Sequence, residues 1–192
     1  MQIAFVIFDQ MTALDFVGVY DPLTRLKTMN FMPELRWDIC ARTRELTDDR
    51  ALRFTATKVD EPLTGYDAIV VAGGYGTRAL MHDAAFIAWL RTAAPCPLKT
   101  SVCTGSLLLG AAGFLAGRRA TTHPSAYRDL APCCASVTYE RIVADGDVVT
   151  AGGVTAGIDL GLYLVERFAG AEVRALIARQ MDYPYATTNN QI

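Results

Sequence analysis

The chain has 192 residues, of which 52% are hydrophobic and 20% charged, and its formal net charge is −2 at pH 7. This length suits one globular domain with a sizeable core, so we expect a single domain over residues 1–192. The weak negative charge offers no basic surface for a phosphate backbone, which argues against a nucleic-acid partner. No apolar run is long enough to cross a bilayer, and no basic segment with a cleavage site opens the chain, so we expect neither a membrane partner nor a signal peptide.

The cysteine content points to a reducing compartment. Five cysteines are an odd number, and a chain of this size does not need disulfide bonds for stability. We therefore expect reduced thiols and a cytoplasmic location. The adjacent pair Cys133-Cys134 lacks the second pair and the histidines of a zinc site, so we expect no metal centre there.

The first part of the sequence alternates strand-like and helix-like segments. Residues 3–8, IAFVIF, form a continuous apolar run typical of a strand buried on both faces. A turn over residues 9–12 leads into a helix predicted over residues 15–28. Pro22 lies inside this helical pattern, so we expect a kink or a break there. Further strands are predicted over residues 35–41, residues 53–58 (a weak edge element) and residues 67–72.

The second part continues the alternation. Gly73-Gly74-Tyr75-Gly76 follows the strand over residues 67–72, and glycines at such a strand end allow the backbone to approach a ligand closely. Helices are predicted over residues 83–93, 106–112, 125–130, 155–168 and 171–181. Strands are predicted over residues 99–102 and 119–122, and a hairpin over residues 137–143 and 147–151 that turns at Asp145-Gly146. A polar, loosely held tail is expected over residues 184–192. The alternation predicts an α/β fold with a mostly parallel sheet and helices on both faces.

Cys103 lies at the turn of a strand–turn–helix sequence, TSVCTGSLLLG. The start of a helix presents unpaired N–H groups and positive dipole character, which lowers the pKa of a thiol and favours the thiolate. A buried core thiol is the alternative, and it is the commoner fate of a cysteine. Gly73-Gly74 and Gly152-Gly153 lie at the ends of two other predicted strands, so we expect the three turns to meet in one site.

A nucleophile needs an acid or base and donors for developing charge. Asp15 lies in an apolar setting where burial would raise its pKa, so that it carries a proton at neutral pH; a helix N-cap is the alternative, which the sequence alone favours. We expect the N–H groups of Gly74 and Thr104 to be the donors, although Gly73-Gly74 is equally well read as a structural turn. His123 ends a predicted strand and is expected to reach the site, with a structural role equally consistent with the sequence.

Four segments together resemble the ThiJ/PfpI superfamily over about residues 1–183: FDQMTALDFVG, VVAGGYGTR, SVCTGSLLLGAAGFLAGRRATTHP and TAGGVTAGIDLGLYLVE. The resemblance implies the class I glutamine amidotransferase-like fold, a flavodoxin-like three-layer α/β sandwich with a mostly parallel central sheet. Within the superfamily the sequence looks most like the isonitrile hydratases. It is also similar to the N-terminal domains of AraC-type regulators, which continue into a helix-turn-helix domain that these 192 residues do not contain. We therefore expect the stand-alone enzyme branch.

The resemblance assigns roles to individual residues. The nucleophilic cysteine of the elbow motif falls on Cys103, and the acidic residue that contacts it falls on Asp15. Thr104 stands where PfpI-type proteases carry histidine, which argues against peptidase activity, and we expect Thr104 to take part in catalysis. The remaining backbone donors or substrate contacts are expected at Gly73, Gly74, Tyr75, His123 and Gly153.

The implied reaction is the hydration of an isocyanide to an N-substituted formamide through a thioimidate on the cysteine. The resemblance implies no metal and no organic cofactor, a small-molecule substrate and a homodimer. Three alternatives stay open. They are a glyoxalase-like or deglycase-like activity on reactive carbonyls, a redox sensor that oxidises Cys103, and a regulator-like ligand-binding protein.

Overall fold

The computed structural model describes residues 1–184, and alternating strands and helices make up most of them. The strands are β1 Gln2–Val6, β2 Arg36–Ala41, β3 Glu45–Thr47, β4 Arg53–Thr55, β5 Lys58–Val59, β6 Ala68–Val71, β7 Leu98–Val102, β8 Arg119–Ala120, β9 Ser136–Val137, β10 Ile142–Asp145 and β11 Val148–Ala151. The α-helices are α1 Ala13–Thr28, α2 Thr77–Leu80, α3 Ala84–Arg91, α4 Gly105–Ala111, α5 Tyr127–Leu130, α6 Ala156–Ala169 and α7 Ala171–Gln180.

A seven-stranded sheet in the order β10-β11-β7-β6-β1-β2-β5 forms the centre of the fold. All neighbouring strands in it run parallel except the edge pair β10 and β11. Every residue of β6 and β7 is buried, as expected of parallel strands covered on both faces. Two small sheets lie outside it, an antiparallel β3–β4 pair and a parallel β8–β9 pair.

The strand order explains why helices cover both faces. The chain moves from β1 outward to β2 in one direction and from β6 to β7 and β11 in the other. Right-handed crossovers in opposite directions place their helices on opposite faces. One layer contains α1, which packs against α6 and α7, and the other contains α4, which packs against α2, α3 and α5. The strand order reverses between β1 and β6, and ligands bind at such a switch point in open α/β sheets.

Helix α1 differs from the sequence prediction in two ways. It begins at Ala13 and Thr12 is its N-cap residue, so the interpretation of Asp15 as an N-cap is wrong. It also runs through Pro22 without a break. The ring of Pro22 packs directly against Gly161 of α6, where a β-carbon would collide with it, and this close helix packing supports the continuous helix.

Short elements account for most other differences. The weak strand predicted over residues 53–58 is two separate strands, β4 and β5, while β3 and α2 were not predicted. The predicted hairpin is present, although its first strand begins at Ile142 and Asp145 pairs with Val148. The predicted loose tail lies, apart from Pro184, outside the described residues. No helix in residues 1–184 is long and apolar enough to cross a membrane.

Candidate active site

Cys103 follows β7 directly and adopts a left-handed backbone conformation, with φ of +54°. Its N–H donates to the carbonyls of Ala151 (3.0 Å) and Gly152 (2.8 Å) on the neighbouring strand end. Its carbonyl accepts hydrogen bonds from the hydroxyls of Thr122 (3.0 Å) and Ser106 (3.3 Å). A non-glycine residue in this region costs about 1–3 kcal/mol and persists only where its surroundings enforce it. The turn is therefore a strained elbow held from several sides.

Asp15 is the third residue of α1, and its side chain points into the protein beside this elbow. The residue is fully buried. The Gly73 N–H donates to its Oδ2 at 3.1 Å, while Oδ1 has no hydrogen-bond partner among the residues described. The carboxyl group also acts on Cys103, and each group shifts the pKa of the other. A β-carbon at Gly73 would lie 2.7 Å from Oδ2 of Asp15 and 2.9 Å from Cβ of Cys103, so the structure brings the two predicted reactive side chains to the same point beside Gly73.

Burial dominates the electrostatics of this pair. It raises the pKa of Asp15 to about 7, while hydrogen bonds with Cys103 and Gly73 act in the opposite direction. Burial also raises the pKa of the Cys103 thiol to about 12, and the negative charge of Asp15 raises it further. The start of α4 acts in the expected direction, because the Thr104 N–H lowers the pKa of this thiol, but burial outweighs it and the expected thiolate is not favoured. Two adjacent acids of this kind titrate as a unit, and the carboxyl group gives up its proton before the thiol does.

Thr104 ties the elbow to the turn that follows β6. Its hydroxyl accepts a hydrogen bond from the Gly74 N–H at 2.9 Å and donates one to the Gly74 carbonyl at 3.0 Å. The predicted donor Gly74 is thus already engaged, as is the Gly73 N–H with Asp15. The backbone N–H of Thr104 hydrogen-bonds the Cys103 sulfur and lowers the pKa of its thiol. Thr104 is the predicted donor that faces the sulfur.

Position 73 requires glycine because a β-carbon there would be too close to three groups of the site. A β-carbon there would lie 2.6 Å from the Thr104 nitrogen, 2.7 Å from Oδ2 of Asp15 and 2.9 Å from Cβ of Cys103. Each separation is shorter than a β-carbon tolerates. The close backbone approach predicted for the Gly73-Gly74 turn is present, and it is an approach to the candidate catalytic residues themselves.

The other predicted contact residues, His123, Gly153 and Tyr75, lie beside or next to the turns that meet at Cys103. Gly153 lies next to His123, whose Cδ2 would be 3.5 Å from a β-carbon at Gly153. Nδ1 of His123 lies 2.8 Å from the Ser125 hydroxyl and accepts the Ser125 N–H at 3.2 Å, which caps the 3₁₀ turn Pro124–Ala126. His123 therefore has a structural role whatever else it does. Tyr75 follows the glycine turn and is 71% exposed.

Sequence reasoning missed a buried charge near Asp15. Asp49 lies on the loop between β3 and β4, its side chain is only 2% exposed, and it accepts a hydrogen bond from the Thr12 hydroxyl at 2.8 Å. It forms an ion pair with Arg50 at 2.6 Å. In the sequence these residues belong to the run Thr47-Asp48-Asp49-Arg50, which looks like an ordinary charged surface loop. Only tertiary structure places it against the start of α1.

Metal-binding groupings and disulfides are both absent from residues 1–184. No group of three or more histidine, cysteine, aspartate or glutamate side chains there is arranged to hold a metal ion. All five cysteines are free, and Cys133 and Cys134 are half-buried. The chemistry available at the site is that of a thiol, a carboxyl group and backbone amides.

Sequence comparisons identify related proteins. The profile of the DJ-1/PfpI family matches residues 1–167. Isonitrile hydratase from Pseudomonas putida is 40% identical over 185 residues, which cover 95% of this chain and 78% of that protein. The HTH-type transcriptional regulator CdhR from Pseudomonas aeruginosa is 30% identical over 181 residues, which cover 92% of this chain and 53% of the regulator.

Solved structures share the same architecture. A THiJ/PfpI family protein from Pseudomonas syringae superposes with a TM-score of 0.87 at 30% identity, over 100% of this chain and 77% of the other. Drosophila melanogaster DJ-1beta superposes with a TM-score of 0.83 over 96% of this chain and 98% of the other, and its 18% identity supports a likeness of fold alone. The three-layer, mostly parallel α/β fold predicted from the sequence is confirmed.

Proposed function

The chain belongs to the DJ-1/PfpI family, and from that premise we propose that it is an isonitrile hydratase-like enzyme that converts isocyanides to N-substituted formamides. The observation that carries the proposal is that the buried Asp15 carboxyl and Cys103 meet at Gly73, where a β-carbon would lie 2.7 Å from Oδ2 of Asp15 and 2.9 Å from Cβ of Cys103. Burial raises the pKa of this carboxyl group to about 7. A carboxyl group with a pKa near the working pH both accepts and donates a proton. Its similarity to the hydratase from Pseudomonas putida supports this choice of substrate.

The first half of the reaction forms a covalent intermediate. The ionised Asp15 carboxylate takes the proton of the Cys103 thiol while the sulfur attacks the terminal carbon of R–N≡C. Asp15 then delivers this proton to the same carbon. The S–H bond is broken, one C–S and one C–H bond are formed, and the product is the thioimidate R–N=CH–S on Cys103. The Thr104 N–H stabilises negative charge on the sulfur before the attack and after its release.

The second half of the reaction releases the formamide. Water attacks the thioimidate carbon, Asp15 accepts a proton from the water, and the substrate nitrogen receives that proton. The C–S bond breaks as the new hydroxyl becomes the formyl carbonyl, and the hydroxyl proton returns to the sulfur through Asp15. One water is consumed, R–NH–CHO leaves, and Cys103 and Asp15 regain their starting states.

The decisive experiment offers two substrates side by side. Purified protein is incubated with a simple alkyl isonitrile or with methylglyoxal, and the consumption of each is followed by infrared or NMR spectroscopy. The proposal expects formamide from the isonitrile and at most slow consumption of methylglyoxal. Faster turnover of methylglyoxal than of any isonitrile would favour a glyoxalase-like or deglycase-like activity.

The redox-sensor alternative uses the same thiol and needs its own test. Peroxide would oxidise Cys103 in such a sensor, so the intact mass after peroxide treatment, with loss or retention of turnover, separates it from the enzyme. A regulator-like binding protein would hold a metabolite without turnover. The isonitrile assay separates this alternative as well, because such a protein produces no formamide.

We also propose a homodimer in a reducing, cytoplasmic compartment. Leu14 and Val17 lie one turn apart on α1 and are 43% and 41% exposed, so a partner subunit has apolar surface to cover next to Asp15. The five free cysteines suit a reducing compartment. Light scattering tests the assembly, with a mass near twice that of the chain as the expected result and the monomer mass as the contradicting one.

A further inference from the structure

We propose that Asp49 is a positioning residue that, together with Arg50, sets the protonation of the Asp15–Cys103 pair. Neither residue touches the reacting atoms. Both act on Asp15 from the loop between β3 and β4, which hydrogen-bonds the residues just before α1. The proposal concerns the same site as the proposed function and deepens it.

The residues just before α1 form hydrogen bonds with two separate loops, the glycine turn after β6 and the loop between β3 and β4. On one side the Thr12 N–H donates to the Gly73 carbonyl at 2.9 Å, in the glycine turn that also contacts the elbow. On the other side the Asp49 N–H donates to the Met11 carbonyl at 2.9 Å. Hydrogen bonds from the loop between β3 and β4 therefore hold the turn that precedes α1 in place. Any change in the loop is transmitted to the first residues of α1, where Asp15 lies.

The hydroxyl of Thr12 makes a second contact between this loop and the start of α1. Thr12 is the N-cap of α1, a position where a threonine hydroxyl ordinarily accepts a hydrogen bond from the helix backbone. Here it makes no such bond and donates to Oδ2 of Asp49 at 2.8 Å instead. The Asp15 N–H in turn donates to the Thr12 carbonyl at 3.0 Å. Asp49 is thus linked to Asp15 through a single residue.

The charges of Asp49 and Arg50 also act on Asp15. The Asp49 side chain is 2% exposed, while Arg50, whose Nη1 lies 2.6 Å from Oδ1 of Asp49, is 71% exposed. The charges of both side chains act on the buried carboxyl of Asp15. Like charge disfavours the ionised form of Asp15 and opposite charge favours it. Asp49 accordingly raises the pKa of Asp15 and Arg50 lowers it, and Cys103 is the other titratable group that acts on it. The two loop residues therefore oppose each other.

Two charge-removing variants test this opposition. Asp49→Asn keeps an acceptor for the Thr12 hydroxyl, and Arg50→Gln removes the charge of an exposed side chain. The titration of the Asp15 carboxyl is followed without an isonitrile by NMR of protein carrying ¹³C-labelled aspartate, with Asp15→Asn to assign the signal. We expect the midpoint of this titration to fall by about half a pH unit or more in Asp49→Asn, because ionisation of Asp15 becomes easier, and to rise in Arg50→Gln.

A measurement with added salt and a control variant on the same hairpin provide two further checks. Added salt should reduce the shift of Arg50→Gln more than that of Asp49→Asn, because the guanidinium is exposed and the carboxylate is buried. Glu45→Gln removes an exposed charge of β3 that bonds Thr55, and it should leave the midpoint unchanged.

An unchanged midpoint in Asp49→Asn would overturn the proposal, as would shifts of the same sign in both variants. A purely structural role for Asp49 predicts a loss of stability with no such shift. The titration of Asp15 needs no substrate, so a failure here is distinct from a failure to hydrate isonitriles.

Discussion

The Thr104 hydroxyl both accepts a hydrogen bond from the Gly74 N–H at 2.9 Å and donates one to the Gly74 carbonyl at 3.0 Å. One side chain thereby fixes the elbow after β7 to the glycine turn after β6. Thr104 thus closes the two loops around Cys103.

Removing that hydroxyl should loosen both loops. We expect Thr104→Val to lower the free energy of unfolding by about 1–3 kcal/mol, since the buried Gly74 N–H loses its acceptor, and to lower the rate of isonitrile hydration. Thr104→Ser keeps the hydroxyl and should restore most of both properties. Urea denaturation and a turnover assay measure the two effects. Equal stability of the valine and serine variants would contradict this role.

A matched pair of glycine substitutions tests the close approach at the site. In Gly73→Ala the new methyl group would collide with Asp15, Cys103 and the Thr104 nitrogen, so we expect loss of activity and of stability. Gly152→Ala is the control, since its nearest contact would be an ordinary 3.7 Å. Thermal unfolding and turnover report on both variants. An active Gly73→Ala enzyme would show that the turn has room that this structure does not contain.

The raised pKa of Asp15 has a consequence for stability. Because the folded-state pKa of about 7 is above the unfolded value of 3.8, the folded state binds more protons between these pH values, and stability falls as pH rises through this window. The destabilisation is absent below the unfolded pKa and complete above the folded one. Over about three pH units it amounts to about 4 kcal/mol at most.

Asp15→Asn removes this titration. The variant should gain stability relative to the unsubstituted protein as pH rises from about 4 to about 8, while hydration falls at least about 100-fold because the proton carrier is lost. Urea denaturation at several pH values gives the comparison. A stability difference that does not change with pH would contradict the raised pKa.

Strain at the elbow predicts an unusual ranking of substitutions. Both Cys103→Ala and Cys103→Gly remove the thiol, but only glycine adopts the φ of +54° without a steric penalty. We expect Cys103→Gly to be more stable than Cys103→Ala by up to about 1 kcal/mol, the reverse of the usual order of alanine and glycine. Denaturant unfolding of the two inactive variants measures the difference. A more stable alanine variant would show that the elbow is unstrained.

Long buried elements were predictable from the sequence because their patterns are strong. The apolar runs that became β1, β6 and β7 and the amphipathic stretches that became α1 and α6 all lie within a few residues of their predicted places. The shorter elements β3 and α2 were not predicted. A strand of three residues or a single helical turn is too short to display a periodic pattern, and its conformation depends on tertiary contacts.

The position of the site was predicted better than its electrostatics. Strand ends of a parallel sheet converge, so the turns at Gly73 and Cys103 were expected together, and the family resemblance placed Asp15 beside them. The structure brings the three residues together. The protonation of Cys103 was predicted wrongly because the helix start is a local feature, whereas burial and the Asp15 charge arise from packing. Asp49 was missed for the same reason. The catalytic roles themselves stay predictions.

The covalent intermediate on Cys103 is the central claim, and a labelled substrate tests it most directly. An alkyl isonitrile carrying ¹³C at its terminal carbon is mixed with excess protein and quenched rapidly, and the peptides are analysed by mass spectrometry. We predict that the label is attached to the Cys103 peptide before labelled formamide accumulates, and that Cys103→Ala yields neither. Labelled formamide formed at the full rate by Cys103→Ala, with no label on any peptide of the unsubstituted protein, would contradict the mechanism.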